Sequence, residues 1–92
     1  MKDENKFYDQ VIISDDEIEK AKNHNVLELT SNGILVLRYY NENGLDDNNY
    51  HTLSLPICNT AYGMMEEIKK EIGKDFLISR SVIDLIYAIV SD

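Results

Sequence analysis

The stretch between residues 41 and 50, NENGLDDNNY, has the side chains best suited to binding a cation. Carboxylate and amide oxygens are the ligands that calcium prefers, and an EF-hand loop needs a glycine at its sharp turn. Aligning Gly44 with that glycine puts Tyr39 at the first ligand position and Tyr50 at the position of the bidentate glutamate. Both essential carboxylates are missing, so we expect a long surface loop between two strands.

The acidic side chains of this stretch and the two histidines offer weaker metal ligands. Glu42, Asp46 and Asp47 leave a looser cation site as an alternative, but an ordinary polar loop is favoured. A zinc site needs cysteine or histidine ligands at short spacing, and His24 and His51 have no such partner in the sequence. We predict that the protein has no metal and no cofactor.

Nucleophilic catalysis would have to use the single cysteine, Cys58. His51 lies seven positions before it, and neither residue belongs to a catalytic signature. Cys58 follows Pro56 and Ile57, which favours a small core residue over a reactive thiol. The four glycines stand singly, so no phosphate-binding loop is present in the sequence. We therefore expect no enzyme activity.

Capping signals and apolar periodicity predict three helices. The sequence SDDE has the spacing of a capping box, so a short helix is expected over about residues 15–23. Apolar residues recur at helical spacing between residues 61 and 72, and Gly73 supplies a left-handed cap. Residues 79–90 are apolar nearly all round. Their β-branched content leaves a strand possible, but the preceding helix favours a third helix.

Two apolar runs around Ser31-Asn32-Gly33 predict a β-hairpin. Its register is predicted from the alternation, which pairs Leu29 with Leu35 and Leu27 with Leu37. The opposite face then carries Val26, Glu28, Val36, Arg38 and Tyr40. A third run, residues 50–55, adds a strand whose outward side chains are Tyr50, Thr52 and Ser54.

The predicted fold is α+β. It consists of a short N-terminal helix, a three-stranded antiparallel β-meander and two C-terminal helices. A chain of 92 residues makes one domain. We expect that domain to span residues 1–92, with residues 1–10 poorly ordered.

The charge of the chain favours a basic partner. Net charge is −8, from 9 basic and 17 acidic residues, and each third of the chain is net acidic. Nucleic-acid binding draws most of its affinity from lysine and arginine, so nucleic acid is disfavoured. A basic protein is favoured because complementary charge speeds encounter. The sequence shows no membrane span and no signal peptide, and a single cysteine fits a reducing compartment, so we expect a cytoplasmic protein.

The run HTLSLP, a helix ending in EIG and the segment ISRSVIDLIYAIV resemble the ribbon-helix-helix family of DNA-binding repressors and antitoxins. In that family, two chains each contribute a strand to a ribbon in the major groove. The resemblance covers residues 50–92 and implies a dimeric repressor or antitoxin. By position, it implies base contacts from Tyr50, Thr52 and Ser54, and phosphate contacts from residues 79–81.

The order of elements and the acidity of the whole chain resemble one class of phage anti-CRISPR proteins, which mimic DNA and occupy a basic groove of a nuclease. The resemblance implies an anti-defence inhibitor of a basic protein such as a nuclease or a toxin, acting in the host cytoplasm if phage-encoded. Carboxylates can replace phosphates opposite arginines, which bind them bidentately. The predicted contacts are Glu42, Asp46 and Asp47, with Tyr40 and Tyr50 as aromatic anchors.

Two further predictions concern self-association and small ligands. The last helix must be covered by its own sheet or by a second copy of the chain, and we expect a homodimer through this helix. Arg38, Tyr40 and Tyr50 would then clamp a nucleotide-like ligand across the dimer. A ligand-sequestering protein is thus the second alternative to the inhibitor, and Arg38 joins the predicted binding residues.

Overall fold

The computed structural model describes residues 12–90, apart from the side chains at positions 15, 19, 20 and 47. The strands are β1 (Ile12–Ile13), β2 (His24–Leu29), β3 (Leu35–Asn41), β4 (Gly44–Leu53) and β5 (Leu77–Ser79). A 3-10 helix (Asp15–Lys20) precedes β2, and the α-helices are α1 (Ala61–Ile72) and α2 (Arg80–Val90). The prediction that residues 1–10 are poorly ordered lies outside the described residues.

The strands form one mixed sheet in the order β1-β5-β2-β3-β4. Strands β2, β3 and β4 are antiparallel neighbours, whereas β5 lies between β1 and β2 and runs parallel to both. The class is α+β, but the predicted architecture is wrong, because the three-stranded meander is one side of a five-stranded sheet.

The helix predicted at residues 79–90 is confirmed as α2, and the unpredicted strand β5 precedes it and overlaps the prediction only at Ser79. Ile78 is fully buried between Ile12 of β1 and Leu27 of β2, its partners in the ladder. A strand covered on both faces shows no polar–apolar alternation, so a three-residue strand of this kind cannot be recognised from its pattern. Ser79 is the buried last residue of β5, and α2 begins at Arg80.

The short helix predicted over about residues 15–23 is a 3-10 helix over Asp15–Lys20. Its capping signal is present, because Glu17 Oε1 accepts a hydrogen bond from Ser14 N–H at 3.3 Å. The backbone then forms the shorter i+3 bond from Ala21 N–H to Ile18 O at 2.8 Å. A helix of six residues is too short to be stable as an α-helix without extensive packing.

The β2–β3 hairpin has the predicted register. Leu27 pairs with Leu37, and Leu29 pairs with Leu35. These leucines pack with the helices, so we call their side of the sheet the helix face and the opposite side the outer face. The outer face of these two strands carries the predicted residues Val26, Glu28, Val36, Arg38 and Tyr40.

The main core lies between the helix face and the two α-helices. The predicted helix α1 is confirmed, with its end at Gly73 (φ 69°) and its start capped by Thr60, whose Oγ1 accepts from Gly63 N–H at 3.0 Å. Its buried residues are Ala61, Met64, Met65 and Ile68. Burying a methionine or isoleucine side chain contributes about 1.5–3 kcal/mol, so this stripe anchors α1 on the sheet.

Helix α2 covers most of its apolar surface within the chain. Val82, Ile83, Ile86 and Val90 are buried in the same core, and Ile89 is exposed. The homodimer through this helix stays a prediction. Within residues 12–90, neither helix combines the length and the apolar character needed to cross a membrane.

Candidate binding groove on the outer face

An open groove of about 300 Å³ runs along the outer face over β3 and β4. It forms because Val36 lies opposite Thr52 and Arg38 opposite Tyr50, so that these four side chains project to the same side. We call this surface the outer groove. Thr30 and Ile34 lie at the hairpin end, and Leu45 and Asp46 complete its lining.

The outer groove collects exposed apolar side chains. Six large apolar residues in the described part of the chain are exposed, and three of them, Ile34, Leu45 and Tyr50, line this groove. The other three are Ile57 before α1, Tyr62 on α1 and Ile89 on α2. Single exposed apolar residues are ordinary, but a cluster bordered by polar groups is typical of an interaction surface.

The prediction of a long surface loop at residues 41–50 is wrong, because most of this stretch belongs to strand β4. Asn41 pairs with Gly44, so the chain turns tightly through Glu42 and Asn43 and re-enters the sheet as β4. Gly44 has a φ of 116°, a backbone conformation that residues with a Cβ atom rarely adopt. Asn41 Oδ1 accepts a hydrogen bond from Asn43 N–H at 2.8 Å and stabilises the turn.

The polar residues 46–49 form a bulge in β4. The register between β3 and β4 shifts between Arg38 and Tyr40, so residues 46–49 of β4 lie opposite a single residue of β3. Asp46 Oδ1 accepts a hydrogen bond from Asn48 N–H at 3.1 Å, which forms a small turn inside the bulge. The bulge therefore holds the Asp46 side chain at the outer groove.

Glu28, Arg38 and Tyr40 form a polar network beside the outer groove. The hydroxyl of Tyr40 donates to Glu28 Oε2, and Arg38 Nη1 donates to Glu28 Oε1 at 3.5 Å. Glu28 pairs with Val36, four residues before Tyr40 on β3, so the Tyr40 ring must lie along the sheet to reach the carboxylate. Val26, the neighbour of Glu28 on the outer face of β2, is fully buried.

Within the network, the pKa of the Tyr40 hydroxyl is raised and Arg38 stays accessible. Burial, and then the hydrogen bond to Glu28, raise the pKa of the Tyr40 hydroxyl well above its ordinary value. The Glu28 carboxylate is buried, and the two donors compensate for the loss of its hydration. The Arg38 side chain is 32% exposed and lines the groove, so some of its five N–H donors can reach a ligand.

The structure brings together three of the predicted partner-binding residues, because Arg38, Asp46 and Tyr50 all line the outer groove. Tyr40 lies beside it, with its hydroxyl in the network with Glu28. Glu42 is exposed at the turn between β3 and β4, and the side chain of Asp47 is outside the described part of the protein.

Sequence reasoning missed Glu28, Ile34 and Leu45 as parts of this site. Ile34 directly follows the turn glycine, and Leu45 is the one apolar residue in a run of polar ones. An isolated apolar residue in a polar stretch was the available signal, since such a residue has no obvious place in a solvated loop. Glu28 gave a different signal, a carboxylate in the middle of an apolar strand, which needs partners when it is buried.

A second pocket, of about 320 Å³, opens where β4 meets the end of α1 on the helix face. Its lining includes His51, Leu53, Glu71 and Lys74. Cys58 lines neither pocket and packs against the core, so the two pockets do not bring it together with His51. Among the residues that the structure describes, no three His, Cys, Asp or Glu side chains lie where they could hold a metal ion.

Comparison with known proteins gives no match to this chain, either among protein families, among curated proteins or among solved structures. The outer groove and the charge of the chain are therefore the features that indicate a function.

Proposed function

We propose that this protein binds and inhibits a basic protein partner through the outer groove. The observation that carries the proposal is the convergence of three exposed apolar side chains, Ile34, Leu45 and Tyr50, on one groove. Buried aromatic and aliphatic anchors in such a depression supply most of the binding free energy of protein interfaces. Arg38 and Asp46 add polar groups that can orient the partner.

The expected charge of the partner follows from the charge of the chain. Net charge is −8, and residues 30–53, which contain the whole lining of the groove, include three acidic side chains and one basic one. That basic side chain, Arg38, is paired with Glu28. Complementary charge speeds encounter and penalises wrong partners, so we propose a nuclease or a toxin with a basic binding surface as the target, and the cytoplasm as the compartment.

Affinity capture from cell lysate followed by titration of the purified partner tests the proposal. Tyr50→Ala and Leu45→Ser truncate groove side chains that are 55% and 42% exposed. Tyr62→Ala and Ile89→Ser are matched controls outside the groove, at 48% and 45% exposure. We expect the groove variants to lose about tenfold or more in affinity and the controls to stay within about twofold. Equal losses in both sets contradict the proposal.

Two other predicted functions can be separated from the inhibitor by direct binding assays. A specific mobility shift on DNA would favour the dimeric ribbon-helix-helix-like repressor or antitoxin, whereas capture of a basic protein without a DNA shift favours the inhibitor. Calorimetry against cyclic nucleotides and related signals tests the ligand-sequestering function. Absence of heat in that titration removes it.

A further inference from the structure

We propose that the basic partner is held by adding an extended strand to the free edge of β4. This inference rests on the proposed function and specifies how the partner is bound. Strand β4 is the last strand of the sheet in the described part of the chain, and residues 50–52 are exposed. Natural edge strands are often protected by lysine, proline or a bulge; the bulge in β4 is confined to residues 46–49, and residues 50–53 contain neither lysine nor proline.

The hydrogen-bond pattern of the β2–β3 hairpin determines which way the backbone of β3 points. Thr30 N–H donates to Ile34 O at 2.9 Å, so this is a hydrogen-bonded pair. Hydrogen-bonded and non-hydrogen-bonded pairs alternate in an antiparallel ladder, so the even-numbered residues of β3 turn their backbone groups toward β2. The backbone of Tyr40, another even-numbered residue, also points toward β2, because its carbonyl accepts a hydrogen bond from the N–H of Asn23, just before β2.

The odd-numbered residues of β3 consequently bond to β4, where their partners are His51 and Leu53. Tyr50 and Thr52 alternate with those residues, so their N–H and C=O groups point away from β3 toward the open edge. An incoming strand would find two donors and two acceptors there, spaced as in a sheet.

Two pockets flank this edge, one on each face of the sheet. The outer groove is lined by Tyr50 and Thr52, and the second pocket is lined by His51 and Leu53. Successive side chains of a strand point to opposite faces, so an added strand would direct alternate side chains into the two pockets. In this mode of recognition, backbone hydrogen bonds supply affinity and the pockets supply specificity.

Charge selects the occupant of the edge. A second copy of the chain also carries −8, so pairing two β4 strands would bring like charges together. Asp46 lies in the same strand at the bulge and faces the outer groove, where a lysine or arginine of the segment would meet it. The second pocket, on the helix face, is lined by Leu37, Leu53 and Ile72 and favours apolar side chains. The occupant is therefore an extended segment of another protein with alternating apolar and basic residues.

Amide hydrogen exchange of the full-length protein tests the free edge residue by residue. In the protein alone, we expect fast exchange at Tyr50 and Thr52 and slow exchange at His51 and Leu53. A peptide of alternating lysine and valine, about seven residues long, should slow exchange at Tyr50 and Thr52 on binding. Protection of Thr52 in the protein alone would mean that a second copy or residues 1–11 cover the edge, and would overturn the proposal. Peptide binding that leaves both amides fast, or no binding at millimolar peptide, also overturns it.

Substitution at Thr52 gives an independent test. Thr52→Pro removes an outward N–H and places a ring at the edge, while the bonds of His51 and Leu53 to β3 remain. Thr52→Ala, which retains the N–H, is the matched control. We expect Thr52→Pro to bind the peptide about tenfold or more weakly than Thr52→Ala, whose own loss measures what the Thr52 side chain contributes in the groove. Equal affinities contradict strand addition, and if Thr52→Pro does not fold, the exchange pattern of the unmodified protein decides.

Failure of strand addition is distinguishable from failure of the proposed function. A captured partner that loses affinity for Tyr50→Ala and Leu45→Ser but not for Thr52→Pro binds the groove without adding a strand. A partner that binds all three variants as well as the unmodified protein does not use this surface.

Discussion

Replacing Glu28 by alanine is expected to destabilise the fold by about 2–3 kcal/mol. The carboxylate is buried, and it accepts hydrogen bonds from the Tyr40 hydroxyl and the Arg38 guanidinium. A hydrogen bond to a charged group contributes about 1.5–3 kcal/mol. The Arg38 bond is long, at 3.5 Å, and its donor is partly exposed, so it adds only about 0.5 kcal/mol.

Urea unfolding at neutral pH, followed by circular dichroism, measures this loss. A domain of 92 residues has a free energy of unfolding of roughly 5–14 kcal/mol, so the change is a large fraction of the total. Thermal unfolding should show a midpoint about 10–20 °C lower. Glu28→Gln is the matched control, because its amide oxygen still accepts from Tyr40, and we expect it to cost about 1 kcal/mol.

A double-mutant cycle with Tyr40→Phe isolates the hydrogen bond itself. We expect Glu28→Ala and Tyr40→Phe to be coupled by about 1–2 kcal/mol, since each removes the same contact. Strictly additive effects, or a loss below about 0.5 kcal/mol for Glu28→Ala, would refute the idea that this network holds Arg38 and Tyr40 in place beside the groove.

Tyr40, Ile78 and Gly44 provide further tests, at alkaline pH, in the core and at a turn. The pKa of Tyr40 is raised in the folded state. The stability that this residue contributes is therefore complete below pH 10.0, the ordinary pKa of tyrosine, and is lost as the pH rises above that value. Tyr40→Phe should therefore flatten the fall in the free energy of unfolding above that pH, and parallel falls in both proteins would contradict this. Ile78→Ala should lower the free energy of unfolding, measured in urea, by about 3 kcal/mol. Ile57→Ala, at a fully exposed position, should change that free energy by less than about 0.5 kcal/mol, and similar values for the two variants would contradict the assignment of the core. Gly44→Ala should cost about 1–2 kcal/mol through backbone strain alone, because open space surrounds the added methyl group, and an unchanged midpoint of thermal unfolding would argue against the positive φ.

The β2–β3 hairpin and helix α1 were predictable because their signals are local. Leu27 and Leu29 alternate with polar or outward residues, and one turn glycine fixes the loop, so the register follows from simple parity. Helix α1 shows a regular apolar stripe that ends at Gly73, where the left-handed φ is needed.

Strands β1 and β5 were not predictable because their pairing is long-range. Ile12 and Ile78 are 66 positions apart, and each stands in a strand of two or three residues. Such short segments carry no periodicity, and only the finished core shows that Ile78 is enclosed.

The candidate site was partly predictable for the same reasons. Arg38 and Tyr50 could be assigned to the outer face by strand parity, and they are direct partners in the ladder. Leu45 and Asp46 reach the groove through the bulge at residues 46–49, and the Asp- and Asn-rich composition of this segment indicates a loop more strongly than a strand.

The central claim, that the outer groove binds and inhibits a basic protein, is tested most directly by one matched pair of variants. The activity of the captured partner is measured while Tyr50→Ala or Tyr62→Ala is titrated into it, alongside the unmodified protein. We predict that Tyr62→Ala inhibits like the unmodified protein, and that Tyr50→Ala needs about tenfold more protein for the same inhibition. Full inhibition by Tyr50→Ala at the unmodified concentration would contradict the account.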